Sequence, residues 1–414
     1  MESRGRRPAI QPYFLMTIRK PVALLFNGYS GVTSGGDEHA VRLALFLADD
    51  PALAVHVIIP KNSYETLRRH PSIIAHDVMD TKWAPKGRLF LFGLSLVYII
   101  RILQAIRILF ALPRYTVHVA TSHLVHDVIP TLIFPTRRTV CYAHHLLQTQ
   151  LRSSFFSRLN AWAERVCLPP LLRRRSLFFT GSPATRNQLL RAITRDDVNA
   201  DVVLTSNGID VPKVGAVIPV SERKTALCCV GRLTKQKGVL DLMPLLNALS
   251  KTQPTIRLCV IGGGDLEQVL IRGFCTEVAA GRVELCGKIG DEEKFSRLAD
   301  AAVLVVPSRE EGWGIVIAEA LASGCRVVAY DLPELVELWA KNVTFATRFD
   351  CDDLARAVAQ SLAAGDLSDS EHATRESVLR DLKWESILSR EHGLISNFML
   401  QSKPNVTVDS QGNT

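Results

Sequence analysis

The sequence predicts an α/β protein made of two Rossmann-like domains that face each other across a cleft. Three observations favour this fold class. Short apolar stretches of strand length alternate with longer stretches whose apolar residues have helical spacing. This alternation stops at Asp210 and starts again after a turn-like stretch at 211–224. A chain of 414 residues, of which 47% are hydrophobic, can build two cores of ordinary size.

The N-terminal half begins with a strand–loop–helix–strand unit. PVALLFNGY at 21–29 is predicted as a strand, and the apolar positions of the following GVTSGGDEHAVRLALFLAD fit a packed helix. AVHVIIP at 54–60 is the next strand, so the unit is the start of a parallel sheet. Further strands are predicted from TVHVATS, TVCYAHH and LFFTGSP.

The C-terminal half repeats this alternation. Its predicted strands are TALCCVGRL, IRLCVIGGG, VELCGKI, AAVLVVPS and RVVAYD. Its predicted helices are GVLDLMPLLNALSK, DLEQVLIRGF, IVIAEALA and, at the end, WESILSREHGLISNFML. We therefore expect a disordered basic extension at 1–15, an N-terminal Rossmann-like domain at 16–212, a C-terminal Rossmann-like domain at 213–385, a helix at 386–400 that can cross back to the N-terminal domain, and a disordered tail at 401–414.

The segment at 88–114, RLFLFGLSLVYIIRILQAIRILFALPR, is unusually apolar. Its longest uncharged run, from Leu89 to Ile100, has 12 residues, whereas a spanning helix needs about 20. Arg101 and Arg107 interrupt the segment, so we do not expect it to cross a membrane. Two interpretations stay open: an amphipathic helix packed on its own domain, or an apolar helix that lies in a membrane interface.

The charge of the chain favours anionic partners but does not choose among them. The net charge is +8 and the isoelectric point is about 9.1, a balance that suits phosphates, acidic lipid headgroups or nucleic acids. The nine cysteines show no metal-ligand spacing, which predicts reduced thiols and no metal site. Because the first twenty residues lack an apolar signal core, we expect a cytoplasmic protein.

Acids and glycines lie between two apolar runs in PSREEGWGIVIAEALASGCRVVAYD at 307–331. A strand is predicted before REEGWG and a helix after it, so this loop lies at the carboxyl end of a parallel strand, where open α/β sheets bind ligands. Glu311 belongs to the loop and Glu319 to the helix, and carboxylates in such apolar surroundings need a partner. The helix N-terminus would present free N–H groups to an anion.

This pattern resembles the fourth family of retaining glycosyltransferases, also called glycosyl transferases group 1, whose members have the GT-B fold. The resemblance rests on E-x7-E at Glu311 and Glu319, on VGRLTKQKG at 230–238, on LTSNGID at 204–210 and on SGGDEHA at 34–40. It covers nearly all of the C-terminal half and is looser in the N-terminal half. It implies a retaining, metal-independent hexosyltransferase that moves a sugar from a nucleotide-sugar donor to an acceptor hydroxyl, in glycan, polysaccharide or glycolipid assembly.

The resemblance also assigns roles to residues. The expected catalytic residues are Glu311 near the reacting centre, His144 on the transferred sugar, and Arg232 and Lys237 on the donor diphosphate. Donor-binding residues would be Arg232 and Lys237 again, together with Gly35, Gly36, Asn207, Gly312, Trp313, Gly314, Ile315 and Glu319, the last on the ribose hydroxyls. The expected acceptor-binding residues are His145 and His123.

The partners implied are a nucleotide-sugar donor, a glycan or lipid-linked acceptor and, through 88–114, an anionic membrane surface. The location implied is the cytoplasm, with the inner face of the membrane as a peripheral site. No cofactor and no nucleic acid is expected. Two other functions stay open: a nucleotide-sugar epimerase of the same fold, which would need no acceptor, and a non-catalytic sugar-nucleotide binding protein. A degenerate binding protein would have no physical reason to retain buried acids.

Overall fold

The structure is a computed structural model that describes most of the chain. It comprises residues 19–28, 35–80, 82, 90–144, 155–191, 198–210, 218–219, 222–223 and 225–400. The predicted extension at 1–15, the tail at 401–414, most of the linker at 211–224, and His145 lie outside these ranges.

A parallel sheet forms the centre of the N-terminal domain, and its strand order in the described ranges is β3-β2-β1-β4-β5-β6-β7. These strands are β1 (Lys20–Leu25), β2 (Leu53–Pro60), β3 (Ile73–Val78), β4 (Val117–Ala120), β5 (Thr139–Ala143), β6 (Ser176–Thr180) and β7 (Ala200–Leu204). The helices are α1 (Gly35–Ala48), α2 (Glu65–Arg69), α3 (Phe90–Ala111), α4 (Val125–Leu132), α5 (Phe155–Leu172) and α6 (Pro183–Leu190). The strand order reverses between β1 and β4, which is where such sheets form a ligand crevice.

The C-terminal domain has the same arrangement, with the order β10-β9-β8-β11-β12-β13 among the residues described there. Its strands are β8 (Thr225–Val230), β9 (Leu258–Ile261), β10 (Val283–Gly287), β11 (Ala301–Val306), β12 (Arg326–Tyr330) and β13 (Thr344–Ala346). Its helices are α7 (Leu242–Ser250), α8 (Glu267–Gly273), α9 (Cys275–Ala279), α10 (Asp291–Ala299), α11 (Ile315–Ala322), α12 (Pro333–Trp339), α13 (Cys351–Ala363) and α14 (Asp369–Asp381), and the chain continues into α15 (Trp384–Leu400).

The central strands are apolar throughout because helices cover both faces of each sheet. Every residue of β4 and every residue of β11 is buried. The C-terminal sheet packs into one apolar cluster around Leu227 and Val260 on one face and into another around Cys228 and Leu304 on the other. All ten predicted strands are present, and the structure adds β3, β7 and β13.

Helix α15 returns to the N-terminal domain. Leu388, Ile395 and Phe398 join the core of the first sheet. The return begins where Ile209, just after β7, forms a bridge with Lys383, and the Ile209 N–H donates to the Leu382 carbonyl. The last helix therefore connects the two domains through packed side chains as well as through the chain itself.

Helix α3 accounts for the apolar segment at 88–114. One side of it is buried against the N-terminal domain through Val97, Ala105 and Leu109. Its other side leaves large apolar side chains in solvent, among them Leu103 and Phe110. No helix in the described ranges is both long enough and apolar enough for a membrane crossing.

Candidate functional site

Lys237 and Glu311 meet at the carboxyl end of the C-terminal sheet. The two loops that carry them follow β8 and β11, which are neighbouring parallel strands. Lys237 Nζ donates to Glu311 Oε2 at 2.5 Å, and the two side chains are 24% and 13% exposed. Arg232 lies on the same loop as Lys237, with its side chain exposed. The predicted diphosphate and sugar residues therefore share one edge of the sheet, where such sheets bind ligands.

Backbone contacts hold these two loops together. The N–H groups of Arg309 and Glu310 donate to the Gln236 carbonyl at 2.8 and 3.3 Å. Gly238 has a φ of 63°, and a Cβ at this position would lie 1.7 Å from the Pro307 carbonyl oxygen. Only glycine tolerates both the left-handed backbone and this close approach. Gly238 thus fixes the position of the neighbouring Lys237 relative to the loop that carries Glu311.

Glu319 is buried in the second turn of α11, with 9% of its surface exposed. Its partner is Lys294 on α10, whose Nζ donates to Glu319 Oε1 at 2.7 Å and to Asp291 Oδ1 at 2.9 Å. Burial raises the pKa of Glu319, and the attraction of Lys294 limits that rise. Burial lowers the pKa of Lys294, but the two carboxylates outweigh it and the net pKa is raised.

Sequence reasoning missed Lys294, although a signal for it exists. Lys294 lies four residues before the fully buried Leu298, which puts both on the inner face of α10. A lysine on the buried side of a helix needs an anion, and Glu319 supplies it.

The backbone at the start of α11 is shaped by Gly314, which has a φ of 80° and caps the helix without a side-chain hydrogen bond. Trp313 is buried, and Trp339 Nε1 donates to the Trp313 carbonyl at 2.8 Å. The indole of Trp313 therefore belongs to the core, and a ligand at Gly312 to Ile315 would meet mainly backbone. An exposed N–H at a helix start is a favourable position for an anion.

Residues of the N-terminal domain approach this helix directly. A Cβ on Gly35 would lie 2.4 Å from Ile315 Cδ1, so the first turn of α1 approaches α11 closely at this point. A Cβ on Gly36 would lie 2.9 Å from the His144 ring. His144 follows β5 directly. Four predicted residues from both domains are therefore brought together at the cleft.

The side chains of His123 and Asn207 have partners outside the four cleft residues just described. His123 is buried, and its Nε2 lies 3.0 Å from Glu164 Oε2 of α5. Asn207 Oδ1 is 3.1 Å from His39 Nδ1, and His39 Nε2 is 2.9 Å from Glu391 Oε2 on α15. Asn207 thus belongs to a buried polar network between the N-terminal domain and α15, and its side chain is directed to His39 in this arrangement.

Two other features lie apart from the cleft residues. A cavity of about 250 Å³ lies at the opposite end of the C-terminal sheet, lined by Gly324, Arg326, Thr344 and Glu371 among others. In the described part of the chain, one group of side chains is close enough to share a metal ion, namely Cys259, Glu284 and Cys286. None of the predicted donor or catalytic residues belongs to either.

Comparison with solved structures defines the class of fold. Sucrose-phosphate synthase from Thermosynechococcus elongatus superimposes with a TM-score of 0.69 at 19% identity, over 92% of this chain and 99% of that one. Anabaena HepE in complex with UDP-glucose superimposes with a TM-score of 0.66 at 17% identity, over 91% and 99%. The chain therefore has the GT-B fold of two Rossmann-like domains across a cleft.

Sequence comparisons relate part of this chain to known proteins. Residues 224–364 match the family described as glycosyl transferases group 1. Phosphatidyl-myo-inositol mannosyltransferase of Mycobacterium tuberculosis is 31% identical over 152 residues, 35% of this chain and 39% of that protein. Alpha-maltose-1-phosphate synthase of the same species is 30% identical over 234 residues, 50% of this chain and 59% of that protein. The chain thus spans less than two thirds of either relative, and the family match is confined to its C-terminal domain.

Proposed function

We propose that this protein is a retaining glycosyltransferase that moves a sugar from a nucleotide-sugar donor to an acceptor hydroxyl, without a catalytic metal. The observation that carries the proposal is the Lys237–Glu311 pair, which lies at the cleft edge of a domain that belongs to glycosyl transferases group 1. The half-buried lysine offers a positive charge where the donor diphosphate would lie. Several relatives are named as mannosyltransferases, which supports the same reaction class.

The charged residues suit the departure of a diphosphate. As the bond between the anomeric carbon and the phosphate oxygen breaks, negative charge grows on that oxygen. Lys237 and the exposed Arg232 would stabilise this charge, and the N–H groups at the start of α11 would assist. An arginine supplies a planar fork of donors for phosphate, whereas a lysine supplies a compact charge.

The other residues would position the sugar nucleotide in the site. Lys294 occupies Glu319 Oε1, so the second carboxylate oxygen of Glu319 would accept hydrogen bonds from the ribose hydroxyls. Glu311 and His144 would contact hydroxyls of the transferred sugar from the two sides of the cleft. Such fixed contacts convert donor binding into correct orientation of the reacting carbon.

In this proposal the reaction takes place on one face of the sugar. The acceptor oxygen bonds to the anomeric carbon on the face that the diphosphate leaves. The acceptor proton passes to the leaving phosphate oxygen, so no side chain forms a covalent intermediate. Close approach of the domains, as at Gly35 and Ile315, would exclude water and limit hydrolysis of the donor.

The test begins with a thermal-shift screen against UDP-, GDP- and ADP-sugars, since a ligand of the folded state raises the melting temperature. Transfer from the donor so identified is then measured with sugar and lipid-linked acceptors. We expect Lys237→Ala and Glu319→Ala to lower kcat/KM by at least ~10²-fold. Lys251→Ala and Glu376→Ala, exposed residues of the same types, are matched controls.

Two results would contradict the proposal. Transfer by Lys237→Ala and Glu319→Ala at the rate of the controls would show that the site lies elsewhere. Conversion of the sugar while it stays on its nucleotide, in the absence of any acceptor, would identify an epimerase instead.

For the acceptor, we propose a lipid-linked hydroxyl reached at an anionic membrane surface. Leu96, Ile99, Leu103 and Phe110 form one exposed stripe along α3, spaced by three, four and seven residues. The exposed Arg107 lies on the same helix. Apolar side chains beside arginines match the interface of a membrane with acidic headgroups. Relatives named for transfer of mannose to phosphatidyl-myo-inositol or to cellobiosyl-diphosphopolyprenol support this choice.

Flotation with liposomes tests the surface separately from the chemistry. We expect the protein to float with anionic liposomes at low salt and to float less at high salt, because salt screens the arginines. The double variant Leu103→Glu and Phe110→Glu should stay at the bottom. Ile271→Glu, which places the same charge on an exposed isoleucine of α8, should float normally. Unchanged flotation of the double variant, or a wild-type protein that never floats, would rule the surface out.

A further inference from the structure

Three thiols and a carboxylate lie together on one face of the C-terminal sheet, at its β10 edge. Cys228, Cys259 and Cys286 come from the adjacent strands β8, β9 and β10. The sulfur atoms of Cys259 and Cys286 are 3.4 Å apart, and Cys228 is the register partner of Cys259 on the neighbouring strand. The ligand atoms of Cys259, Glu284 and Cys286 all lie within 4.8 Å of one another.

Strand pairing explains why these residues meet. Cys259 is paired across β9 with Cys228 on one side and with Glu284 on the other. The register between β9 and β10 shifts between Leu285 and Gly287, so Cys286 lies in an irregularity of the edge strand. Spacing along the sequence gave no sign of this group, because Cys259 lies on β9 whereas Glu284 and Cys286 lie on β10. The irregularity in β10 adds to this.

We propose that Cys259, Cys286 and Glu284 bind a soft divalent cation such as Zn²⁺, with the Cys228 thiol or a water molecule as the fourth ligand. A tetrahedral zinc site with Zn–S bonds of about 2.3 Å separates two sulfur ligands by ~3.8 Å. The 3.4 Å between Cys259 and Cys286 needs only a small side-chain rotation to reach that distance. Sulfur ligands select zinc-like ions over Mg²⁺ and Ca²⁺, which prefer oxygen.

The charges around this site are balanced by an arginine. Arg297 Nη1 on α10 donates to Glu284 Oε2 at 2.6 Å, so the other carboxylate oxygen would reach the ion. Two thiolates and one carboxylate carry three negative charges, which a divalent cation and the guanidinium together neutralise. A hydrogen-bonded outer partner of this kind also orients a metal ligand.

The site is accessible and its role would be structural. Glu284 is 54% exposed and Cys286 is half-buried, so an ion can enter from solvent at the sheet edge. A bound ion would tie the edge strand β10 to β9 and stabilise the folded state by mass action. This site takes no part in the sugar transfer, and its test does not depend on enzymatic activity.

The experiment titrates Co²⁺ into reduced, chelator-treated protein and records the absorption spectrum. We expect sulfur-to-cobalt charge-transfer bands and the visible bands of tetrahedral Co²⁺, saturating at one ion per chain, and their loss when Zn²⁺ is added. Cys286→Ser and Glu284→Gln, both near the surface, should weaken Co²⁺ binding by at least ~10-fold. Zn²⁺ should raise the melting temperature of the wild type and leave that of Cys286→Ser unchanged.

Cys275→Ser is the matched control, because Cys275 is an exposed cysteine outside the group. It should keep the wild-type spectrum and affinity. The proposal is overturned if no charge-transfer bands develop, or if Cys286→Ser binds Co²⁺ as tightly as the control. It is also overturned if Cys259 and Cys286 form a disulfide in air that bound Zn²⁺ does not prevent.

Discussion

At the scale of single residues, the charged side chains at the cleft form lysine–glutamate pairs. Lys237 holds Glu311, and Lys294 holds Glu319. Each pair is largely withdrawn from solvent, and an unpaired charge there would be costly. In the proposed reaction the donor diphosphate would compete with Glu311 for Lys237, whereas Lys294 would keep its partner throughout. The two lysines therefore have different expected roles.

Lys294 is the residue whose substitution separates these roles. We expect Lys294→Met to raise the KM for the donor by about 10-fold while kcat falls less. Glu319 would lose its orientation, but Arg232 and Lys237 would still bind the donor diphosphate. Lys294→Arg should restore much of the affinity. Measurement of kcat and KM over a range of donor concentrations checks this.

Lys251→Met serves as the control for the Lys294 variants, since Lys251 is exposed at the far end of α7. If Lys294→Met lowers kcat and leaves KM unchanged, Lys294 contacts the reacting centre itself. If both kcat and KM keep their wild-type values, Glu319 needs no partner.

At the scale of elements, α15 is held on the N-terminal domain by a buried ion pair. Glu391 accepts from Tyr142 Oη at 2.8 Å and lies 2.9 Å from His39 Nε2, and the Thr205 hydroxyl also donates to it. Burial lowers the pKa of His39, but Glu391 outweighs burial, so its pKa in the folded protein is raised above 6.5. The folded protein therefore binds this proton more tightly than the unfolded chain does.

The pH dependence of stability follows from that difference. The stabilisation by the His39–Glu391 pair should be complete below about pH 6.5 and decline as the pH rises through the raised pKa of His39. Glu391→Gln should cost about 3–5 kcal/mol of unfolding free energy at low pH, and less at high pH. Denaturant unfolding at several pH values measures this.

Glu385→Gln is the control for that substitution, because Glu385 is exposed in the first turn of the same helix. It should have a small effect that does not vary with pH. A cost for Glu391→Gln that stays constant across the pH range would show that His39 is not charged in the folded protein.

Among the strands, sequence reasoning missed three that lie at sheet edges. β3, β7 and β13 each lie at an edge, and none of them is buried throughout: every residue of β7 is partly exposed, and β3 and β13 mix buried with exposed residues. Strand patterns are strongest where both faces are covered, as in β4 and β11. An edge strand has a partner on one side only, so its sequence carries less of the apolar signal.

At the scale of the whole molecule, close contacts join the two domains in the described part of the chain. The Ala184 N–H in the first turn of α6 donates to Glu337 Oε2 on α12 at 2.6 Å. Gln188 Nε2 donates to Glu334 Oε1 at 3.4 Å between the same two helices. A carboxylate at a helix N-terminus is favourable because it meets free N–H groups. These contacts limit the distance between the cleft residues of one domain and those of the other.

Glu337→Ala should therefore favour a more open arrangement. A hydrogen bond to a charged group contributes about 1.5–3 kcal/mol, so kcat/KM should fall on the order of tenfold. Small-angle scattering should show a larger radius of gyration than that of wild type. Glu376→Ala, at an exposed site on α14, should change neither quantity. Wild-type scattering and activity for Glu337→Ala would show that this contact does not govern closure.

The sequence by itself determined the two α/β domains and the position of the acidic loop. Apolar strands, helical spacing and the fixed separation of Glu311 and Glu319 are local properties, so they can be derived without coordinates. Only the tertiary structure decided the partners. Glu319 with Lys294, Gly36 with His144, and Cys259 with Cys286 are contacts between segments distant in the chain. Such contacts depend on strand order and domain approach, which no local pattern specifies.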